Sequence, residues 1–404
     1  MENSQVKKNI IVTPHLNPLP EGEGVVRKLR IALVHDFLVQ WGGAERVLKE
    51  LSEMYPEAPI FTLLYDKEKM HGIFAGKDIR PSYLQKFPKF LRKNYRWLLP
   101  FFPVIPETFD LREYDLVISS SGAWSKGIVT KLDTVHIAYL HSPMRFVWDY
   151  NERYVKETEH KKMNFLIRII FNYLRVWDRL AADRPDYLIA NSVYTQKRIE
   201  KYYRRESNVI YPPVNQELGN RNLELEKHKP TTYNLQPKSY FLVVSRLSAY
   251  KKVDLVVEAF NKLGLPLVVI GTGEQEKYLR KIAKENIKIL GWQEDSIVAQ
   301  YYQNAEAFIF PTEDDFGIAP VEAMLVGVPV IAYRKGGAQE TVQEGITGEF
   351  FDAQTPEVLA DGVRRFLDNK DKYDKDVIKK RGEEFSRERF RREFGEYVEK
   401  IISN

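Results

Sequence analysis

The sequence predicts an α/β protein built from two doubly wound, Rossmann-like domains with an interdomain cleft. Three observations lead there. Apolar runs of four to six residues, too short for buried helices, alternate with amphipathic helical segments along most of the chain. The alternation opens as strand, glycine loop, helix, the first half of a βαβ unit. It breaks once, near the middle, at a polar stretch punctuated by prolines, and then begins again. A length of 404 residues suits two or three domains.

Taken in order, Leu29–Val34 is strand-like and feeds HDFLVQWGGAERVLKELSEMY, where Ala44, Val47, Leu48, Leu51 and Met54 share one helical face. Further strands are expected at Ile60–Leu64, Asp115–Ile118, Val135–Leu140 and Tyr187–Ala190, with a helix over about 160–182. This first domain takes residues 29–205. The stretch 206–237, which contains PPVNQELGNRNLELEKHKPTTYNLQP after strand-like Val209–Tyr211, is the linker. The second domain, 238–385, is expected to hold strands at Tyr240–Val244, Leu267–Ile270, Ile287–Leu290, Ala307–Phe310 and Val330–Ala332. Its helices are expected at Val253–Leu263, Ser296–Asn304, about Pro320–Leu325 and Thr355–Leu367. A last helix, Glu388–Ile402, lies in the closing stretch 386–404. No internal repeat is apparent.

Composition narrows the chemistry. Hydrophobic residues make up 44% of the chain, enough for large cores, and the formal charge is +5. So mild an excess does not indicate nucleic acid, and no recognition-helix or RNA-binding motif is present. The absence of cysteine excludes disulfides, thiolate catalysis and Cys-type zinc sites. The histidines show no metal-ligand spacing, so no metal is expected. No run of 18 apolar residues occurs. Residues 1–28, rich in Pro, Gly, Asn and Glu, lack a secretory pattern and read as a disordered extension. The expected location is the cytoplasm.

The richest segment is PTEDDFGIAPVEAMLVGVPVIAY, 311–333. It follows a strand whose carboxyl end, in an open α/β sheet, is where ligands bind. Asp314 lies in the loop, Gly317 permits close backbone approach, and Pro320 suits a first helical turn. Free amides near Ile318 would face an anion. Glu322, read as lying in the first turn, could accept hydrogen bonds from a ribose diol. Spacing alone reads equally well as acids capping a helix. In VVSRLSAYKKVDLVVEAF, 243–260, Arg246 and Lys251 flank a strand end and would hold a diphosphate without a metal. A solvated basic turn is the plainer alternative. Gly42 and Gly43 sit where amides can cradle a phosphate, or simply turn the chain. His141 ends the strand-like VHIAYLHSP; a lone histidine is more often structural.

Together these pieces resemble glycosyltransferase family 4, the retaining nucleotide-sugar enzymes of GT-B fold, over about 29–400. The resemblance rests on WGGAE, the HSP segment, SRLSAYK, the carboxylate motif ending VEAM, and GGAQETV at 336–342. HDFLVQWGGAERV, DLVISSS, YLHSPMRFVWD and NSVYTQKRI are most similar to the bacterial mannosyltransferase branch of polysaccharide synthesis. The resemblance implies that Arg246 and Lys251 bind the donor diphosphate, Glu322 the ribose, and Asp314 the sugar. Ile318, with Phe316 and Gly317 beside it, offers amides; Gly43 lies over the pyrophosphate, His141 meets sugar or acceptor, and Trp292 lies by the base. The last helix would cross back to the first domain. One departure stands out: the family has Glu where this chain has Asp314, a side chain about 1.5 Å shorter, with Glu313 just before it. Asp314 is the residue expected to act.

The implied reaction moves a hexose, with GDP-mannose as the expected donor, to a glycan or polyprenyl-diphosphate-linked acceptor. Segment 80–106 has six basic residues and no acidic one, interleaved with Phe, Tyr and Trp. Such a surface suits anionic lipid, although its aromatics could equally fill the first core. A nucleotide-sugar 2-epimerase, a UDP-sugar enzyme of the same family, and a non-catalytic nucleotide- or glycan-binding protein are the alternatives.

Overall fold

A computed structural model describes residues 19–21, 25–27, 29–149, 161–214 and 240–403. Leu19–Glu21 (β1) and Val25–Arg27 (β2) pair antiparallel. This corrects the expectation of disorder across 1–28. The β-branched pair Val25–Val26 favours extended backbone, which the Pro and Gly content had outweighed in the sequence reading. The rest of that extension lies outside the described residues.

Two compact units follow. The first takes in Met1–Ala190, Thr195–Ile210 and Arg391–Asn404; the second takes in Asn191–Tyr194 and Tyr211–Phe390.

In the first unit the strands are β3 (Ile31–Leu38), β4 (Ile60–Tyr65), β5 (Ile79–Pro81), β6 (Leu116–Ser121), β7 (Val135–Leu140), β8 (Tyr187–Ala190) and β9 (Asn208–Val209). They form one parallel sheet in the order β5-β4-β3-β6-β7-β8-β9. The order reverses between β3 and β6. Every residue of β6 is buried, as in a sheet covered on both faces. Gly43–Met54 follows β3 as a helix and buries Val47, Leu48, Leu51 and Met54. The long helix Lys161–Ala181 packs Phe171 and Leu174 into a core with Phe102, Trp124 and Met144.

In the second unit the strands are β10 (Phe241–Val244), β11 (Leu267–Ile270), β12 (Ile287–Gly291), β13 (Ala307–Phe310), β14 (Val330–Tyr333) and β15 (Gly348–Phe351). Their order is β12-β11-β10-β13-β14-β15, again all parallel, with the reversal between β10 and β13. The pleat divides β10 cleanly: Leu242 enters the core on one face, Phe241 and Val243 the core on the other.

The expected linker is partly corrected. Asn208–Val209 is a strand of the first sheet, and Val214 is buried in the second unit, paired with Ser386. Residues 215–237 lie outside the described residues. Arg387–Ile402 is a helix whose Arg391 onward belongs to the first unit, where Arg391 pairs with Glu50 and, at 2.8 Å, with Glu53.

Candidate active site

In open parallel sheets, ligands bind beyond the carboxyl ends of strands where the order reverses. Each unit has one such place. In the second unit it lies at the ends of β10 and β13, and the chain there carries Arg246, Lys251 and Asp314.

Arg246 is exposed just past β10, and its guanidinium donates to Tyr250 Oη at 2.7 Å. Both cations flank the Tyr250 ring, Arg246 at 5.9 Å and Lys251 at 5.2 Å from its centre. Lys251 Nζ pairs with the Asp314 carboxylate, and both side chains are only partly exposed. Lys251 closes a short 3₁₀ turn, Ala249–Lys251, and the left-handed Lys252 (φ 57°) starts the helix Val253–Leu263. Among the described residues, Ser248 Oγ is buried here without a hydrogen-bond partner.

Two glycine pairs shape these loops, and motif reading did not assign them this work. A Cβ on Gly271 would lie 1.8 Å from the Ser245 carbonyl oxygen, and one on Gly273 would lie 2.3 Å from that of Leu247. The turn after β11 therefore presses on the Arg246 backbone. Likewise, Gly337 N–H donates to the Asp314 carbonyl at 2.9 Å, and a Cβ on Gly336 would lie 2.2 Å from that oxygen. The signal was GTG after β11 and GG at the head of GGAQETV. Glu340 of that motif accepts from the amides of Val193 and Tyr194 at 2.8 and 2.7 Å. Glu313 accepts from Tyr194 Oη at 2.7 Å, so of the two adjacent acids Asp314 is the one beside the cations.

Gly317 (φ 86°) precedes the helix Ile318–Leu325, with no side chain capping its first amides. The helix starts earlier than expected, because glycine rather than Pro320 releases the turn. Glu322 is consequently past the first turn, a correction; it is 5% exposed and accepts from Tyr302 Oη at 3.1 Å. For Phe316 the expectation concerned its amide, and the side chain packs inward. It is buried against Tyr211 and Phe385, because an aromatic after an acidic loop finds more apolar area in the core. Only its backbone remains for a ligand. Trp292 is 56% exposed just past β12, two strands from β10 and so on the order of 10 Å away.

The first unit has its own polar cluster at the β3/β6 reversal. Asp36, buried near the end of β3, accepts from the amides of Gly122, Ala123, Trp124 and Ser125 at 2.6 to 3.0 Å and so pins the loop after β6. His141, one residue past β7, has Nε2 2.8 Å from Ser120 Oγ, which lies 3.1 Å from His35 Nδ1. Buried Glu45 follows, 3.7 Å from His35 Nε2. Sequence reasoning found His141 but missed Ser120, His35 and Glu45, which become neighbours only through the sheet order. Gly42 and Gly43 open the helix that carries Glu45, and Gly42 has no side chain to cap it. A different histidine, His136, is fully enclosed on Ser119 Oγ at 2.8 Å. Burial, with Arg205 and Arg184 nearby, pushes its imidazole down to about 3, so it is neutral.

Two parallel Rossmann-like sheets, each with charged or polar side chains at its reversal point, define the GT-B class of fold. Residues 226–384 match the family described as Glycosyl transferases group 1, and residues 41–218 match Glycosyltransferase Family 4. The chain belongs to glycosyltransferase family 4. An uncharacterized glycosyltransferase of Methanocaldococcus jannaschii is 25% identical over 53% of this chain and 58% of its own length. A GDP-mannose-dependent alpha-(1-6)-phosphatidylinositol monomannoside mannosyltransferase of Mycobacterium tuberculosis is 27% identical over 48% of this chain and 56% of its own. The chain thus spans little more than half the length of these curated relatives. In fold, HepE of Anabaena in complex with UDP covers 92% of this chain and 100% of its own, with a TM-score of 0.66 at 17% identity.

Proposed function

We propose that the protein transfers a hexose from a nucleoside diphosphate sugar to a hydroxyl of a glycan or polyprenyl-diphosphate-linked acceptor, with retention and without a metal. The observation that carries this reading is the pair Arg246 and Lys251, set around one ring beside Asp314 at the strand reversal. When the bond between the anomeric carbon and the diphosphate breaks, negative charge grows on the departing phosphate. Arg246, Lys251 and the amides around Ile318 stabilise it, a preorganised term that commonly dominates catalysis. Ser248 Oγ is a further donor for a ligand oxygen. The acceptor hydroxyl attacks the same face and its proton passes to the departing phosphate. Asp314 orients the sugar, Glu322 takes the ribose hydroxyls, and Trp292 lies by the base. His141, oriented by Ser120, serves sugar or acceptor, and Gly43 contributes amides to the pyrophosphate.

GDP-mannose is the proposed donor. The M. tuberculosis relative's GDP-mannose dependence supports it; HepE's complex with UDP keeps a UDP-sugar as the second reading. The protein would act at the cytoplasmic face of a membrane, with the basic, aromatic segment 80–106 as a contact. The test is consumption of GDP-mannose with and without lipid-linked oligosaccharide. Acceptor-dependent release of GDP is expected. Conversion of the donor without acceptor would instead indicate an epimerase, and tight binding with no turnover a binding protein.

A further inference from the structure

An amphipathic helix on a globular unit buries an apolar stripe and shows solvent a polar one. Lys161–Ala181 breaks that rule. Its inner face carries Phe171, Leu174 and Ala181, all buried. Its outer face shows Phe165 (70% exposed), Ile169, Tyr173, Val176 and Leu180, all at least 47% exposed. Those positions step by four, four, three and four residues, so they make one continuous line of about four turns. The helix packs against Tyr95–Val104, which exposes Trp97 and Phe101 at 69% and 64%. An apolar surface this extended marks an interaction site.

The charges identify the occupant. Segments 80–106 and 161–181 contain six and five basic residues and a single acid, Asp178. Asp178 is fully buried, held at 2.5 Å by Lys126 and taking Trp148 Nε1 and Tyr203 Oη at 2.8 Å. It therefore adds nothing to the outer face, where Arg168 is exposed; in segment 80–106, Lys86 and Lys89 are exposed as well. A second copy would set cation against cation across a symmetric interface. No described helix is long and apolar enough to cross a membrane.

We infer that the outer face of Lys161–Ala181 docks flat on an anionic phospholipid surface, its apolar line sunk among acyl chains and its cations at the headgroups. This deepens the membrane contact proposed for 80–106 and does not depend on the transfer chemistry. The test is co-sedimentation of the full chain with vesicles of phosphatidylcholine containing phosphatidylglycerol, against phosphatidylcholine alone. Binding to the anionic vesicles should be at least tenfold tighter and should weaken in high salt. The variant Phe165→Ser/Ile169→Ser/Val176→Ser should lose at least tenfold in partition, with unchanged melting temperature and unchanged stabilisation by nucleotide. Brominated lipid should quench wild type more than Trp97→Phe, which reads insertion even if the triple variant folds poorly. Equal partition of variant and wild type, or no quenching difference, would overturn the assignment. So would a wild-type dimer that the triple variant converts to monomer. Nucleotide stabilisation is read on the same samples, so failure of the lipid docking and failure of the donor site are separate results.

Discussion

At the scale of single residues, the proposed donor site relies on cations whose work would be electrostatic. Arg246→Ala or Lys251→Ala should each lower turnover by about 10²–10³-fold, as loss of one transition-state donor does elsewhere. Steady-state kinetics at saturating donor would check it, and a change below threefold would contradict the role. His136 gives a pH prediction. Its folded value is pushed down to about 3 against an ordinary 6.5, so the unfolded chain binds the proton first as pH falls. The associated stability is present above about pH 6.5 and is lost on descent toward 3. Between pH 7 and 5 the wild type should lose about 2 kcal/mol more than His136→Gln in urea titrations. Arg246, Lys251 and Asp314 were legible because their spacing to strand ends is local. The place of Glu322 in its helix was misjudged, because a residue's depth depends on neighbours such as Tyr302, remote in sequence.

At the scale of elements, the loops that hold these residues are set by close backbone approach. Gly271→Ala would force a Cβ onto the Ser245 carbonyl at a φ of 134° that side chains rarely adopt. It should displace the Arg246 loop and weaken nucleotide binding at least tenfold, while Gly264→Ala, with nothing near its Cβ, should leave binding intact. Titration calorimetry of both variants decides it. The strands legible in the sequence were those buried on both faces, such as Ala307–Phe310. Those missed had a local reason: Ile79–Pro81 ends in proline at a sheet edge, and Gly348–Phe351 opens on glycine. The helices Glu276–Ile282 and Lys375–Glu383 bury one and two residues respectively, too few to show a periodic face.

At the scale of the whole molecule, two units each build a core on both faces of a parallel sheet, and the first recruits the chain's last residues. Phe394, fully buried there, should cost about 3–5 kcal/mol on replacement by Ala. Lys49→Ala, at a half-exposed ion pair with Glu53, should cost under about 1 kcal/mol. Chemical denaturation would separate the two. The two-unit plan was legible from the break in alternation; how far residues such as Val214 belong to a core was not, since that pairing reaches to Ser386. The most direct test of the account is thermal denaturation of the full chain with GDP, UDP, ADP and CMP and with their sugar conjugates, for wild type and Lys251→Ala. A nucleoside diphosphate at 100 times its Kd should stabilise the wild type by about 2.7 kcal/mol, with GDP and GDP-mannose preferred and the variant stabilised less at the same concentration. Stabilisation by none of them, or equal stabilisation of the variant, would contradict the proposed donor site.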